Sequence, residues 1–188
     1  MREELISNRN IEKVVSLNKR EPLFDDHEEV LTGAITHKAV EVLLKTHQIG
    51  EVEQEKIERS VETALSIFIH PSNPLRRKIK QSVLKLVSGL VKELQGILSG
   101  KEIIYSEVEI WDQGVIRRPD LIAVDKEKKT VNLIDFKTGI RLSQEEIEKY
   151  ASQIKGYREA IKKILPDYSI RSLLVFSSED SHFTKEIR

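Results

Sequence analysis

Residues 131–137, with the sequence VNLIDFK, decide the architecture expected of this chain. A short apolar run containing β-branched and aromatic residues is typical of a β-strand in a core. Because side chains alternate across a strand, Asp135 and Lys137 lie on one face, and Phe136 points the other way into the core. The stretch therefore predicts a strand that carries two charged side chains on a single face.

Two more strands are predicted immediately before this one. Residues 104–111 alternate with period two, which is typical of a half-buried strand, and residues 112–114, DQG, form a turn. Residues 115–124 are the returning strand, and the charged segment 125–129 is a second turn. The three strands together predict an antiparallel meander.

A helix and a final strand are expected after the meander. Residues 143–146, SQEE, match a capping box that opens a helix running to about Leu165, where Pro166 and Asp167 stop it. Residues 170–176 then form a last strand. Because a helix separates it from the meander, this strand is expected to join the sheet in parallel.

The N-terminal half is predicted to be helical. Apolar residues recur every three or four positions from Asp25 to Leu43, a second helix covers about 52–68, and a third runs from Leu75 towards Leu98. Residues 70–74, HPSNP, separate the last two helices because their two prolines disfavour helix. We therefore expect a lead-in segment at 1–24, a helical subdomain at 25–100 and a core at 101–188. The predicted fold is α/β, with a mixed central sheet flanked by helices and a helical N-terminal part.

Composition limits the possible functions. The chain has 188 residues, of which 33% are charged and 39% hydrophobic, with a formal net charge of zero. Binding to a nucleic acid would therefore depend on local basic patches. The absence of cysteine excludes disulfides, thiolate zinc sites and iron–sulfur clusters. Because no apolar run reaches the length of a membrane span and the N-terminus is too polar for a signal peptide, we expect no membrane association and a cytoplasmic location.

Two acidic residues are predicted to converge. Asp120 ends the sequence RRPD at 117–120, and Asp135 follows fifteen residues later. If the meander is correct, Asp120 lies on the strand beside Asp135, and the two carboxylates repel each other unless a divalent cation lies between them. Oxygen ligands favour Mg²⁺ or Mn²⁺, and the Lys137 ammonium can orient an attacking water and offset phosphate charge. Phosphodiester hydrolysis requires these elements.

The pattern resembles a known superfamily of nucleases. Asp120 with residues 135–137 is similar to the PD-(D/E)xK signature, and residues 134–139, IDFKTG, are similar to a motif of the RecB-like nucleases. Further similarities are the GxxxH motif at 33–37, which ends in His37, the strand acid Glu107, and the QxxxY motif at 153–157. These motifs cover roughly residues 33–157. The chain departs from the family in having Arg118-Pro119-Asp120 where G-x-(I/V)-D is frequent.

This resemblance implies a restriction-endonuclease-like core and Mg²⁺- or Mn²⁺-dependent hydrolysis of DNA. It implies metal ligation by Asp120, Asp135, the Phe136 carbonyl, His37 and Glu107, with Lys137 positioning the water. The implied setting is the nuclease module of a DNA-repair helicase–nuclease. Since the chain has no P-loop, the helicase motor would lie on another polypeptide or elsewhere in a longer one.

Several alternatives stay open at this stage. Glu109 competes with Glu107 as the strand acid because period two places both on one face. Nucleic-acid contacts are expected from Gln153 and Tyr157, from Arg117 and Arg118, and from Arg76 and Arg77. A packed tyrosine and solvated basic faces explain these residues equally well. The alternatives to a helicase-linked nuclease are a non-catalytic DNA-binding scaffold of the same fold and a stand-alone restriction-type nuclease.

Overall fold

The computed structural model describes residues 24–46, 49–98, 102–139 and 144–188. Its helices are α1 (Phe24–Thr46), α2 (Gln54–Phe68), α3 (Arg76–Ile97) and α4 (Gln144–Ile164), with a 3₁₀ turn at Ile49–Glu51. Its strands are β1 (Ile103–Ser106), β2 (Ile110–Asp112), β3 (Val115–Arg117), β4 (Leu121–Asp125), β5 (Thr130–Thr138), β6 (Ser169–Ser177) and β7 (His182–Ile187). Of the predicted lead-in at 1–24, Phe24 begins α1, and residues 1–23 lie outside the described residues, as does the capping residue Ser143.

Five strands form a mixed sheet in the order β1-β4-β5-β6-β7. Strand β4 runs antiparallel to both β1 and β5. Strands β5 and β6 are parallel, and β7 returns antiparallel to β6. The parallel pair is joined through α4, as expected of a helical crossover. The predicted α/β class, the mixed sheet and the helical N-terminal part are confirmed.

Helices cover both faces of the sheet. On one face, α1 packs against β5 and α3 packs against β6 and β7, with α2 packed on these two helices, and on the other face α4 packs against β5 and β6. Even-numbered residues of β5 such as Ile134 face the first layer, and odd-numbered ones such as Leu133 face the second. In α2 the buried positions Ile57, Val61, Ala64 and Leu65 recur at helical spacing, which explains why this segment turns one stripe towards the core. Each large aliphatic side chain that is fully buried contributes roughly 1.5–3 kcal/mol, so these two layers dominate the stability.

The strands before Asp120 differ from the prediction. The expected strand 104–111 is interrupted at Glu107, which has a φ of 54°, and the expected strand 115–124 is interrupted between Arg117 and Leu121. The inner pieces, β2 and β3, pair only with each other and form a separate hairpin. Polar and apolar residues alternate across the first interruption, at residues 107–110, so the pattern alone did not reveal it.

Strand β7 was not predicted. It forms an edge of the sheet and pairs with β6 from Ser172↔Ile187 to Ser177↔His182. Its half-exposed residues give a weak hydrophobic pattern, because only one end of the strand reaches the core. Among the helices in the described ranges, none has the length and apolar character that a membrane span requires.

Candidate metal and active site

The antiparallel pairing of β4 with β5 brings the two predicted aspartates together. The register aligns Leu121 with Ile134, so Asp120 comes beside the end of β5. One carboxylate oxygen of Asp120, Oδ2, accepts a hydrogen bond from the Phe136 backbone N–H at 2.6 Å. The other oxygen is left to face the helical layer. Asp120 therefore links the sheet to α1.

Asp135 and Lys137 form an ion pair inside the protein. The Lys137 Nζ atom lies 2.6 Å from Asp135 Oδ2, and Asp135 is only 2% exposed. Burial raises the pKa of the Asp135 carboxyl to about 6, the Asp120 charge adds to this, and Lys137 opposes it. Burial alone would lower the pKa of Lys137, but the nearby carboxylates outweigh it and the pKa is raised. Lys137 is therefore a cation at neutral pH.

Tyr150 of α4 is a contact that the sequence prediction missed. The Lys137 ammonium lies over its ring, 4.5 Å from the ring centre, which is a cation–π distance. Tyr150 precedes Gln153 by three residues and Tyr157 by seven, so the three share one face of the helix. The spacing of Tyr150 relative to Gln153 and Tyr157 was the feature of the sequence that could have placed Tyr150 at the site.

His37 reaches the site from α1. Its Nδ1 atom lies 3.2 Å from Asp120 Oδ1, and its ring meets the edge of the Phe136 ring with centres 6.0 Å apart. Burial lowers the pKa of His37, but contact with Asp120 more than compensates, and the net shift is upward. A Cβ atom at Gly33, one turn earlier, would lie 3.0 Å from Thr138 Oγ1. Glycine there lets α1 approach the end of β5.

Glu107, and not Glu109, belongs to this cluster. Its positive φ places it in the left-handed region, and its N–H donates to the Asp120 carbonyl at 3.2 Å. Burial and the Asp120 charge raise the pKa of the half-buried Glu107 carboxyl. Glu109 is exposed and pairs with Arg118. The expectation that both acids share a strand face was wrong, because the chain leaves the strand at Glu107.

The side chains of His37, Glu107 and Asp120 are arranged so that one cation could contact all three. One potential ligand atom from each lies within 4.8 Å of the other two, and all three residues are half-buried. The donor set is one imidazole nitrogen and two carboxylate oxygens. Carboxylates suit Mg²⁺ and Mn²⁺, and an imidazole shifts the preference towards a transition ion. These three residues could therefore hold one divalent cation.

Two of the expected nucleic-acid contacts are packed into the protein. Tyr157 is 6% exposed in the core beneath α4, and its hydroxyl accepts a hydrogen bond from the exposed Gln153. Arg76 is 14% exposed and joins α3 to α2, since it donates to the Ile69 carbonyl at 2.7 Å and pairs with Glu62 at 2.5 Å. The structure therefore gives Tyr157 and Arg76 structural roles.

The other basic residues remain accessible to different degrees. Arg77 is exposed on α3, and Arg118 is exposed beside Glu109. Arg117 lies across α4, where a Cβ atom at Gly156 would come within 2.5 Å of its guanidinium, and it contacts Asp112 at 3.4 Å. Arg118 is thus the accessible cation nearest in sequence to Asp120.

A cleft of about 290 Å³ adjoins the cluster along α1 and β5. Its walls include Gly33, Thr138 and Gly139, each within four residues of His37 or Lys137. Its opposite side carries Lys78, which pairs with Glu28 at 2.8 Å, and Glu179, which accepts a hydrogen bond from Ser82 at 2.6 Å. The cleft thus lies between α1, α3 and the end of β5, and neither His37 nor Lys137 lines it.

Comparison with known proteins assigns no family to this chain. No family model and no curated protein matches the chain. The crystal structure of SSO0001 is similar over 84% of this chain and 64% of that one, with 20% identity and a TM-score of 0.33. The chain thus spans slightly less than two thirds of that protein's length. A likeness at this level carries no functional argument.

Proposed function

We propose that this chain is a divalent-metal-dependent DNA nuclease domain. The observation that carries the proposal is the convergence of five ionisable side chains from separate segments at one end of the sheet. They are His37 from α1, Glu107 after β1, Asp120 before β4, and Asp135 and Lys137 from β5. Gathering so many partly buried charges is unfavourable unless they pair with one another or bind a ligand.

The first part of the argument concerns the cation. His37, Glu107 and Asp120 would hold Mn²⁺ or Mg²⁺, and Asp135 and the Phe136 carbonyl stay predicted ligands from the resemblance. A bound divalent cation supplies Lewis-acid activation of a phosphoryl oxygen and lowers the pKa of a bound water. Burial is the main cause of the raised pKa of Glu107, and the Asp120 charge adds to it. A bound cation would offset the repulsion between these two carboxylates.

The second part concerns Lys137. Because its pKa is raised, it acts as a donor and not as a base, so its ammonium orients a water and stabilises negative charge on the phosphate. Asp135 and the Tyr150 ring fix the position of this ammonium. In-line attack of water on phosphorus then breaks the bond to the 3′ oxygen and leaves a 5′-phosphate.

The biological setting is proposed on the resemblance alone. The PD-(D/E)xK and RecB-like motifs favour the nuclease module of a DNA-repair helicase–nuclease, working with a helicase motor in the cytoplasm. A stand-alone restriction-type nuclease would use the same residues. A non-catalytic scaffold is disfavoured because Asp120, Asp135 and Lys137 are all retained.

The test is cleavage of labelled single-stranded and duplex DNA at low salt, with Mn²⁺, with Mg²⁺ and with a chelator. We expect metal-dependent cleavage by the wild type and a loss of about 10²–10³-fold in Lys137→Ala, as when a key electrostatic group is removed. Lys126→Ala is the matched control. Lys126 is exposed in the turn before β5. Thr130, at the start of β5, and Lys137, near its end, are seven residue steps and roughly 23 Å apart, so Lys126 lies far from the site.

Calorimetry with Mn²⁺ separates the remaining outcomes. Binding that disappears in Asp120→Asn, without cleavage, would mean a competent site that needs its motor. Neither cleavage nor Mn²⁺ binding would refute the catalytic proposal and leave the scaffold.

A further inference from the structure

The β2–β3 hairpin presents an unusual face to solvent. Its turn residues Gln113 and Gly114 both have positive φ, as in the tight two-residue hairpin turns whose twist matches the strands. One face is anchored: Ile110 is buried against α4, and Asp112 pairs with Lys163 at 2.6 Å. In the described part of the chain the opposite face, which carries Trp111 and Ile116, is exposed, and we call it the free face.

That free face carries a large aromatic residue. Trp111 is 71% exposed, and Ile116, directly opposite on the paired strand, is 49% exposed. Trp111 is the only tryptophan of the chain. An exposed tryptophan beside an exposed isoleucine on a fixed hairpin forms an apolar surface with a flat ring at its centre. Such surfaces mark binding sites more often than single exposed side chains do.

The hairpin face leads directly into the candidate active site. Asp120 is only four positions after Ile116, so the two lie at most about 13 Å apart, which is roughly the length of four stacked nucleotides. Arg118 directly follows β3 along the chain towards Asp120, and its side chain is exposed. Arg118 pairs there with the exposed Glu109, and an exposed ion pair is weak enough for a phosphate to replace the carboxylate.

We infer that Trp111, supported by Ile116, is a stacking platform for a base of a single-stranded nucleic acid whose backbone enters the site at Asp120. This inference rests on the proposed nuclease function and names its substrate form. Stacking on an aromatic side chain requires a base that is free of its duplex.

A protein partner fits this surface less well. An indole of about 250 Å², exposed to this extent, offers roughly 180 Å², whereas a standard protein interface covers about 800 Å² on each partner. One base covers an indole, and the adjacent Arg118 supplies the charge that a nucleic acid backbone requires. Size and charge together therefore favour a nucleic acid.

The single tryptophan allows a direct test that needs no catalysis. Wild-type protein in chelator at low salt is titrated with a thymidine oligonucleotide and with a blunt duplex, and indole emission is recorded. The free protein should emit as a solvent-exposed indole, and the single strand should quench this emission while the duplex leaves it unchanged. Equal quenching by the duplex, or no quenching by the single strand, would refute the platform.

Two substitutions extend the test. Trp111→Ala should weaken single-strand binding roughly 5- to 150-fold, the range for loss of one stacked base, measured by fluorescence anisotropy of a labelled oligonucleotide. Trp111→Phe should recover most of the affinity. Because Trp111 is exposed, both variants should fold as the wild type does, and circular dichroism checks this. Equal affinity in all three proteins would overturn the inference.

The two proposals fail in different ways. Cleavage by a wild type whose emission is insensitive to the oligonucleotide would refute the platform and leave the nuclease. Quenching in a protein that neither cleaves DNA nor binds Mn²⁺ would support the platform and refute the nuclease. Emission that changes with protein concentration in the absence of DNA would indicate contact with a second copy and refute the platform.

Discussion

Replacing Glu107 with asparagine should stabilise the metal-free protein. An ordinary L-residue in the left-handed region is disfavoured by roughly 1–2 kcal/mol, and asparagine is one of the few residues that tolerates it. If asparagine relieves about half of this strain, the gain is about 0.5–1 kcal/mol. Loss of a half-buried carboxylate beside Asp120 acts in the same direction, because burial and that neighbour raise the pKa of Glu107. For a chain of this length, we expect a Tm higher by about 1–4 °C in chelator.

With Mn²⁺ present, the sign of the effect should reverse. A ligand that binds only the folded state stabilises it in proportion to the logarithm of its concentration over Kd, so each tenfold loss of affinity removes about 1.4 kcal/mol at saturation. If the loss of one of three ligand atoms weakens Mn²⁺ binding tenfold, the lost stabilisation of about 1.4 kcal/mol already exceeds the gain of about 0.5–1 kcal/mol in the metal-free protein. The variant should therefore melt above the wild type in chelator and below it in saturating Mn²⁺.

Differential scanning fluorimetry at several Mn²⁺ concentrations measures both effects. Glu109→Asn is the control. It removes the same charge two positions after Glu107, and the Glu109 side chain is exposed and outside the cluster. Its Tm should follow the wild type within about 1 °C at every concentration. An Mn²⁺ response of Glu107→Asn equal to that of the wild type would refute the assignment of Glu107 to the metal group. A lower Tm in chelator would refute the strain argument.

Two further predictions concern residues away from the metal group. Arg76→Ala should lower the free energy of unfolding by about 1–3 kcal/mol through its lost charged hydrogen bonds, while Arg77→Ala leaves it unchanged and weakens DNA binding. Urea denaturation measures the stability of both variants, and fluorescence anisotropy measures their DNA binding. Weaker DNA binding by an Arg76→Ala protein that is as stable as the wild type would contradict the structural role of Arg76. A Cβ atom at Gly89 would lie 2.0 Å from the His182 ring, so Gly89→Ala should fail to deliver the roughly 1 kcal/mol that alanine adds to a helix. It should deliver that gain once His182→Ala removes the ring, and a double-mutant cycle with no coupling would contradict the contact.

The secondary structure around the site follows largely from the sequence. The buried strand that contains Asp135 and Lys137 is read from its apolar run and its alternation, and the helix after it from its spacing and from Pro166. These signals are local, because the helix repeat and the strand alternation need only neighbouring residues to be visible. The parallel pairing of β6 with β5 also followed from the sequence, since a helical crossover leaves few other topologies.

Only the tertiary structure decided the details that make the candidate site. It separated Glu107 from Glu109 by turning one residue into the left-handed region, and it assigned Arg76 and Tyr157 to packing. It also made the hairpin that carries the exposed Trp111 separate from the main sheet. Each of these outcomes depends on which distant segment lies alongside. The sequence by itself determined which residues can form strands, helices and charged faces, whereas contacts between residues as far apart as His37 and Asp120 arise only when the chain folds and its helices and strands pack together.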